Sequence, residues 1–267
     1  MPHFTTTDNC RIYFEIENPE VSRPVVVFLN GTMQNNLYWK PQALAFRDTF
    51  RVLTYDARTQ GQSEVGTKKL SREVHASDLL ALMDHLGVEK AHLVGLSHGA
   101  GVAVACATIA PERVDRMVLC SAGAAASYRA RLAVKSWLRL LEESGLEILS
   151  WAVLPLVFGE DFLSRNERLQ AGMVKAMVSR NRKEALAAHF RAMMSYPPLS
   201  QTARDLHVPC LVLSGSDDPI VTKEGAERLA ALLGGRHEYI NGIGHSIPYE
   251  APELFNKTLM EFLSGKA

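Results

Sequence analysis

The sequence lacks an excess of charge of either sign and has few cysteines. Its 29 Lys and Arg residues equal its 29 Asp and Glu residues, so no global field attracts the chain to nucleic acid or to an anionic membrane. The cysteines lie far apart without a Cys-x-x-Cys pair, which argues against a cysteine metal or redox site. We expect buried free thiols at all four positions, namely Cys10, Cys106, Cys120 and Cys210.

Long hydrophobic runs, repeats and low-complexity segments are also missing. No apolar run reaches the roughly 18 residues that a membrane span needs. Residues 1–10 lack the basic stretch and apolar core of a signal peptide. We therefore expect no membrane span and a cytoplasmic location. The 267 residues, 47% apolar and 22% charged, are enough for one large domain or a domain with an insertion.

Strand-like and helix-like segments alternate along most of the chain, which predicts an α/β fold with a mostly parallel sheet flanked by helices. Residues 24–30 (PVVVFLN) form a β-branched run typical of a strand buried on both faces. Residues 11–17 (RIYFEIE) alternate polar and apolar side chains, which predicts an early edge strand. Further strands are predicted at 50–55, 91–95, 114–121, 210–214 and 237–240, and helices at 70–86, 99–110, 223–233 and 252–263.

Residues 124–200 interrupt this alternation. They show no convincing strand, only helical stretches such as 130–143 and 182–194, and carry eleven Lys or Arg against seven Asp or Glu. We predict a core formed by residues 1–123 and 201–267, with a helical lid at 124–200. The positive charge indicates either a solvated helical face or attraction for an anionic group, such as the phosphates of an acyl carrier.

A serine lies among three glycines in residues 91–105, AHLVGLSHGAGVAVA. Gly95, Ser97 and Gly99 fit the pattern G-x-S-x-G, between an apolar strand and an apolar helix. The chain must reverse there within a residue or two, which leaves no room for side chains at 95 and 99. Ser97 then projects from the carboxyl edge of the sheet at the positive end of the next helix. This context predicts a nucleophile.

A serine hydroxyl needs a base, and His245 is the best candidate. It lies in GIGHSIP, on a glycine-bracketed turn directly after the last predicted strand. His98 is next to Ser97, so its side chain points the wrong way to take the proton. The remaining candidates fall within helical patterns and are predicted to be surface or packing residues: His75, His85 and His189.

The imidazole needs an acid that holds its tautomer. SGSDDPI places Asp217 and Asp218 on a turn straight after a buried strand, and either could serve. We favour Asp218, because Pro219 fixes the backbone beyond it, whereas Asp217 could instead cap the turn. The order Ser, Asp, His along the chain is typical of α/β-hydrolases.

With these residues the chain resembles the α/β-hydrolase superfamily over nearly its whole length. Residues 28–39 (FLNGTMQNNLYW) resemble the family's oxyanion loop, and residues 55–63 (YDARTQGQS) its Y-D-x-R-G-x-G-x-S segment. Residues 111–123 resemble the strand that leads into the lid. The resemblance implies an α/β-hydrolase fold with a lid. It also implies that the backbone N–H groups of Thr32 and His98 form the oxyanion hole.

Two positions depart from the family pattern. Asn30 stands where the family commonly has histidine, and Thr59 where it has glycine. The Asn-Gly start of the oxyanion loop resembles acyltransferases that move 3-hydroxyacyl groups between carriers, and also the enol-lactonases. The segment GLSHGAG keeps the hydrolase-like form.

Apolar residues of the oxyanion loop and the lid predict an apolar pocket. A lid rich in aliphatic groups favours an acyl chain or a cyclic apolar body over a sugar or a peptide. The candidate lining residues are Met33, Trp39, Trp137, Trp151 and Phe158.

These features favour a serine hydrolase acting on a small-molecule carboxylic ester, thioester or lactone, without a metal or an organic cofactor. Serine at 97 argues against dehalogenases and epoxide hydrolases, whose family members use aspartate. Three alternatives stay open. An acyltransferase would pass the acyl group to an alcohol or thiol, with CoA or a carrier protein as a further partner. A carbon–carbon bond hydrolase would use the same triad, and a non-catalytic receptor would keep only the fold.

Overall fold

One eight-stranded sheet organises the computed structural model, which describes residues 2–20, 22–203 and 206–265. The spatial order of its strands is β1-β2-β4-β3-β5-β6-β7-β8. The strands are β1 (His3–Thr5), β2 (Arg11–Glu17), β3 (Val25–Leu29), β4 (Arg51–Tyr55), β5 (Ala91–Leu96), β6 (Val114–Cys120), β7 (Cys210–Gly215) and β8 (Arg236–Ile240).

The sheet is mostly parallel, as predicted. From β4 to β8 every neighbouring pair is parallel, whereas β2 pairs antiparallel with both β1 and β4. The prediction that residues 11–17 form an edge strand is therefore wrong, because β1 covers the outer side of β2. Three residues are too few to show a strand pattern in the sequence.

Helices flank the sheet on both sides. Those outside the predicted lid are α1 (Lys40–Phe46), α2 (Arg72–His85), α3 (His98–Ile109), α9 (Lys223–Leu232), α10 (Ile247–Glu250) and α11 (Pro252–Leu263). Four of them match predicted helices to within two residues at each end. The short helices α1 and α10 were not predicted. None of the described helices is long and apolar enough to cross a membrane.

The central strand β3 shows why the sheet is buried on both faces. All five of its residues are buried, and they divide by alternation between two apolar cores. Val25, Val27 and Leu29 pack into the core that contains α2 and α3. Val26 and Phe28 pack into the core on the opposite side, with α1 and α11. Because successive side chains of a strand point to opposite faces of the sheet, this fully apolar strand contributes to both cores.

The described part of the segment between β6 and β7 contains helices and no strand. It contains α4 (Tyr128–Val157), α5 (Glu160–Arg165), α6 (Gln170–Arg180), α7 (Lys183–Met193) and α8 (Leu199–Thr202). Gly145 interrupts α4 with a φ of 83°, which kinks the helix. Trp137, Leu141 and Phe190 of α4 and α7 form a third apolar core together with Met33. The exact lid boundaries at residues 124 and 200 stay a prediction.

The four cysteines are free and buried, as expected. Burial raises the pKa of the Cys106 thiol to about 12, and that of Cys210 likewise. These thiols are therefore packing groups and not reactive ones.

Candidate functional site

Ser97 lies at the junction of β5 and α3. Its φ of 54° and ψ of −110° place it in a left-handed region that is strained for a residue with a side chain. Its backbone N–H donates to the carbonyl oxygen of Cys120 on β6, at 2.8 Å. The junction is therefore anchored to the next strand while the serine sits at the positive end of α3.

The neighbouring glycines are sterically required, as predicted. A Cβ atom at Gly95 would lie 2.5 Å from the backbone nitrogen of Ala100. One at Gly99 would lie 2.3 Å from the carbonyl oxygen of Leu29. Both obstacles are backbone atoms, which cannot move aside as a flexible side chain can. The sharp reversal at Ser97 depends on these close approaches.

His245 and Asp218 form a buried pair. The imidazole Nδ1 lies 2.7 Å from Asp218 Oδ2. Asp218 Oδ1 accepts from the backbone N–H groups of Ile220 and Val221, at 2.8 and 3.0 Å. The carboxylate is thereby fixed, and the imidazole keeps Nε2 for a group in the cavity. Ser97 and His245 line the same cavity but are not hydrogen-bonded to each other in this structure.

Asp217 takes a different position. It is exposed, and its Oδ1 accepts from the Ser216 hydroxyl at 2.8 Å. Its backbone N–H donates to the carbonyl oxygen of Ile243, at 3.0 Å. Of the two candidate acids, the structure brings Asp218 and not Asp217 to the histidine.

Glu250 supports the His245 turn and was not found from the sequence. Its carboxylate accepts from the backbone N–H groups of Gly244 at 3.0 Å and Ser246 at 3.1 Å, on either side of the histidine. Burial raises the pKa of Glu250. Ser121 also holds the turn, because its hydroxyl donates to the His245 carbonyl at 2.8 Å. Contacts to backbone atoms leave no sequence signature that could have revealed them.

The two proposed oxyanion donors border the cavity. Neither Thr32 nor His98 donates its backbone N–H to another group in the described parts of the chain. The loop before Thr32 is fixed at Gly31, whose N–H donates to the Gln34 side chain at 2.7 Å and whose carbonyl accepts from Gln60 at 2.8 Å. Two positioned N–H groups are thus available to an oxyanion.

The cavity has a volume of about 680 Å³ and lies between the sheet edge and the lid. Of the predicted pocket residues, Met33, Trp137 and Phe158 line it. Most of the remaining lining is small or aliphatic, from α4, α6 and the segment after β6. The apolar pocket predicted from the lid composition is therefore present.

Trp39 and Trp151 do not line this cavity, so both predictions are wrong. Trp39 is fully buried in the core that contains α1 and α11, 5.0 Å from Phe28 between ring centroids. Trp151 lies on the outer face of α4 with 41% of its surface exposed. Apolar character alone did not distinguish a pocket wall from a core or an exposed helix face.

Every charged residue that lines the cavity is a cation: Arg72, Arg131, Lys135 and Arg180. No Asp or Glu of the described chain belongs to the lining. Lys135 and Arg180 form no ion pair with a described residue, so their charges are available to a ligand. Arg72 passes over α3, where a Cβ atom at Gly101 would lie 2.8 Å from its Nε. Gly101, the third glycine of residues 91–105, thus leaves room for the Arg72 side chain.

Three histidines meet beside the oxyanion loop, and their proximity was not predicted from the sequence. His75 and His189 are buried, whereas His85 is exposed. Burial lowers the pKa of His75 to about 3 and that of His189 to about 4, and it also lowers the pKa of His98. Among the described residues, this is the one group whose atoms are arranged so that they could hold a metal ion.

Comparisons with known proteins agree with the fold. The model of the alpha/beta hydrolase family matches residues 26–258. The chain is 28% identical over 260 residues to "Putative carbamate hydrolase RutD" of a Caulobacter species, covering 96% of this chain and 97% of that one. It is 25% identical over 251 residues to 3-oxoadipate enol-lactonase 1 of Acinetobacter baylyi, covering 94% and 92%.

A solved structure has the same fold as this chain. The enol-lactonase from Burkholderia xenovorans superimposes with a TM-score of 0.89 at 28% identity, covering 98% of this chain and 100% of that one. The α/β-hydrolase fold implied by the resemblance is therefore confirmed. Since the family model spans most of the chain, from β3 into α11, this protein belongs to the alpha/beta hydrolase family.

Proposed function

We propose that this protein is a serine hydrolase that cleaves a carboxylic ester, thioester or lactone through an acyl-enzyme. The observation that carries the proposal is the 2.7 Å pair between His245 and Asp218, on a cavity that Ser97 also lines. The similarity to proteins named as a carbamate hydrolase and as enol-lactonases supports a hydrolase acting on an acyl bond.

In the first half of the reaction, the Ser97 oxygen attacks the substrate carbonyl carbon and its proton passes to His245 Nε2. Asp218 holds the opposite ring nitrogen and stabilises the imidazolium. The free N–H groups of Thr32 and His98 donate to the oxygen that becomes negative. Each such donor is worth on the order of 3 kcal/mol in the transition state.

In the second half, the imidazolium gives its proton to the departing alcohol or thiol, which leaves an acyl group on Ser97. Water then attacks the acyl carbon while His245 accepts a proton. Collapse of this intermediate returns the proton to Ser97 and releases the acid. The missing hydrogen bond between Ser97 and His245 is compatible with this sequence, because such contacts commonly tighten only when substrate binds.

The lining of the cavity supports a substrate that is apolar but carries a negative group. The cations that border the largely apolar space are Arg72, Arg131, Lys135 and Arg180. Four cations without a lining carboxylate would favour a carboxylate or phosphate at one end of the substrate. The acyl or alcohol part would then fill the apolar region beside Trp137 and Phe158.

Covalent labelling tests the nucleophile. We expect a fluorophosphonate probe to add one label to the native protein and none to Ser97→Ala. Ser195→Ala, which removes an exposed serine, should label like the native protein. If folded native protein does not label, the chain is a receptor or binding module and the hydrolase proposal fails.

Product analysis tests the reaction. A panel of p-nitrophenyl esters, lactones and acyl thioesters of graded length should give free acid. If an acyl ester of an added alcohol or thiol forms instead, the protein is an acyltransferase. Turnover of a diketone but no ester would indicate carbon–carbon hydrolysis.

Charge removal tests the substrate class. Lys135→Gln and Arg180→Gln should each raise KM for a carboxylate-bearing ester about two- to five-fold. The effect is modest because solvent screens both side-chain charges. KM for the neutral methyl ester of the same substrate should not change. Lys175→Gln, on the exposed side of α6, is the matched control. Equal effects on charged and neutral substrates would rule out an anionic handle.

A further inference from the structure

Three imidazoles from three helices meet next to the catalytic elbow. His75 comes from α2, His98 from α3 and His189 from α7, and all three are buried. One ring nitrogen of each lies within 4.8 Å of the others. The ring centroids of His98 lie 4.8 Å from those of His75 and 4.5 Å from those of His189. Segments more than 100 residues apart in the chain thus contribute to one cluster.

The cluster leaves ring nitrogens without partners. Neither nitrogen of His75 has a hydrogen-bond partner in the described chain, and Nε2 of His98 has none. A buried polar group without a partner is unfavourable, because it has lost its hydrogen bonds to water. His189 is different, because its two nitrogens lie 3.3 and 3.2 Å from the hydroxyls of Thr32 and Thr59. An occupant that accepts a lone pair from one nitrogen of each ring would remove part of this penalty.

We propose that His75, His98 and His189 bind one divalent transition-metal ion, of which Zn²⁺ is the best match. Three imidazoles are a donor set that suits zinc, copper and nickel. The 4.8 Å span is wider than a Zn–N distance of about 2.0–2.1 Å requires, so the rings turn inward by less than 1 Å each as the ion binds. A hydroxyl or a water completes the coordination beside Thr32 and Thr59.

The charges around the cluster are compatible with a cation. Arg58, a buried cation whose charge acts on His75, is already neutralised by Asp78 at 2.6 Å and Asp8 at 2.7 Å. Arg72 is the unfavourable neighbour, since its charge acts on His98 and no described carboxylate pairs with it. Arg72→Gln should therefore strengthen metal binding, which an unrelated surface site would not show.

An ion can reach the cluster through the cavity, and its binding affects the oxyanion donors. His98 and Thr32 line the large cavity, so the cluster communicates with solvent through it. The same two residues carry the N–H groups assigned to the oxyanion. An ion that draws the His98 ring inward would shift one of these donors. Bound Zn²⁺ is thus expected to lower esterase turnover reversibly.

Cobalt and zinc titrations of metal-free protein test the site. We expect one Co²⁺ per chain, with the intense visible absorption of a four-coordinate ion, displaced by Zn²⁺. X-ray absorption of the Zn²⁺ protein should count three imidazole ligands. His75→Phe and His189→Gln should weaken binding by more than the roughly 10- to 100-fold that loss of an outer partner costs. His85→Ala, an exposed histidine on the same helix, should bind like the native protein.

The metal-binding outcomes do not depend on the hydrolase proposal, because they can be measured on Ser97→Ala; only the loss of turnover rests on it. No stoichiometric Co²⁺ binding by folded native protein would overturn the metal site. So would fewer than three imidazoles in the absorption spectrum, or unchanged affinity in His189→Gln. If His75→Phe does not fold, the ligand count on native protein and the His189→Gln titration still test the metal site.

Discussion

The carboxylate of Glu250 accepts a hydrogen bond from the backbone N–H of Gly159, with Oε2 2.8 Å from the nitrogen. Gly159 follows the last turn of α4, in the lid. The same oxygen accepts from Gly244 at 3.0 Å, one residue before the proposed base. One carboxylate therefore joins the lid to the turn that carries His245.

Glu250→Gln should loosen this turn. The amide keeps the shape but presents an NH₂ group to at least one backbone N–H, so one contact becomes a repulsion. Charge-assisted hydrogen bonds of this kind contribute about 1.5–3 kcal/mol each, and we expect a comparable loss of unfolding free energy. If His245 is the base, kcat should fall more than KM rises. Denaturant unfolding and ester kinetics measure the two effects.

The matched control is Glu253→Gln, an exposed glutamate in the first turn of α11. It removes the same charge without touching the His245 turn. Equal kinetics in the two variants would show that Glu250 does not position the base.

Gly99→Ala should disrupt the elbow. Its methyl group would lie 2.3 Å from the Leu29 carbonyl oxygen, and β3 cannot move without disturbing the whole sheet. We expect a loss of several kcal/mol, at the severe end of single substitutions, together with loss of fluorophosphonate labelling. Gly172→Ala is the control, because nothing lies within 4 Å of the added atom. Gly172 lies in the first turn of α6, where alanine should instead stabilise by up to about 1 kcal/mol. A fully stable, labelled Gly99→Ala would contradict the steric argument.

The elbow could be predicted because its constraint is local. A buried strand, two glycines around a serine and an apolar helix follow one another within fifteen residues, and each has a direct steric meaning. Long segments with apolar residues at helical spacing could also be predicted. The predicted helix 252–263, for example, coincides with α11. By contrast, β1 has three residues, too few to show any period.

Features that depend on the assembled fold left no such signal. His75, His98 and His189 are far apart in the chain, and only the packing of three helices joins them. Glu250 accepts hydrogen bonds from backbone N–H groups, which do not depend on residue type, so the sequence does not reveal these contacts. Trp39 and Trp137 look alike in sequence, but Trp39 packs into the core that contains α1 and α11, whereas Trp137 lines the cavity.

Substitution of the three tryptophans should separate these environments. Trp39→Phe should lower the unfolding free energy by about 1–3 kcal/mol, because it opens space in a closed core, and leave KM unchanged. Trp137→Phe should change the preference for acyl length, because this ring lines the cavity. Trp151→Phe, at an exposed position, should change neither. Unfolding curves and KM values for esters of graded length provide the measurements. An altered chain-length preference in Trp39→Phe would contradict its assignment to the core.

Acid should destabilise the protein through the pair formed by Asp8 and Arg58. The guanidinium is fully buried and donates to both oxygens of Asp8, at 2.7 Å each. These hydrogen bonds from Arg58 hold the pKa of Asp8 well below its usual range. Since the folded state prefers the ionised carboxylate, this contribution is complete above the ordinary aspartate pKa near 3.8 and is lost as the pH falls below it.

Asp8→Asn should therefore lower the unfolding free energy at pH 7 by about 1–3 kcal/mol. It should also flatten the decline of stability below about pH 5, most strongly below the ordinary aspartate pKa near 3.8, because the variant has no carboxylate at this position to take up a proton. Asp48→Asn, which alters an exposed aspartate on the loop before β4, is the control and should keep the native pH profile. Urea unfolding at a series of pH values measures both slopes. An Asp8→Asn profile parallel to the native one would mean that the acid sensitivity arises from other carboxylates, because the Arg58 pair would then contribute nothing to it.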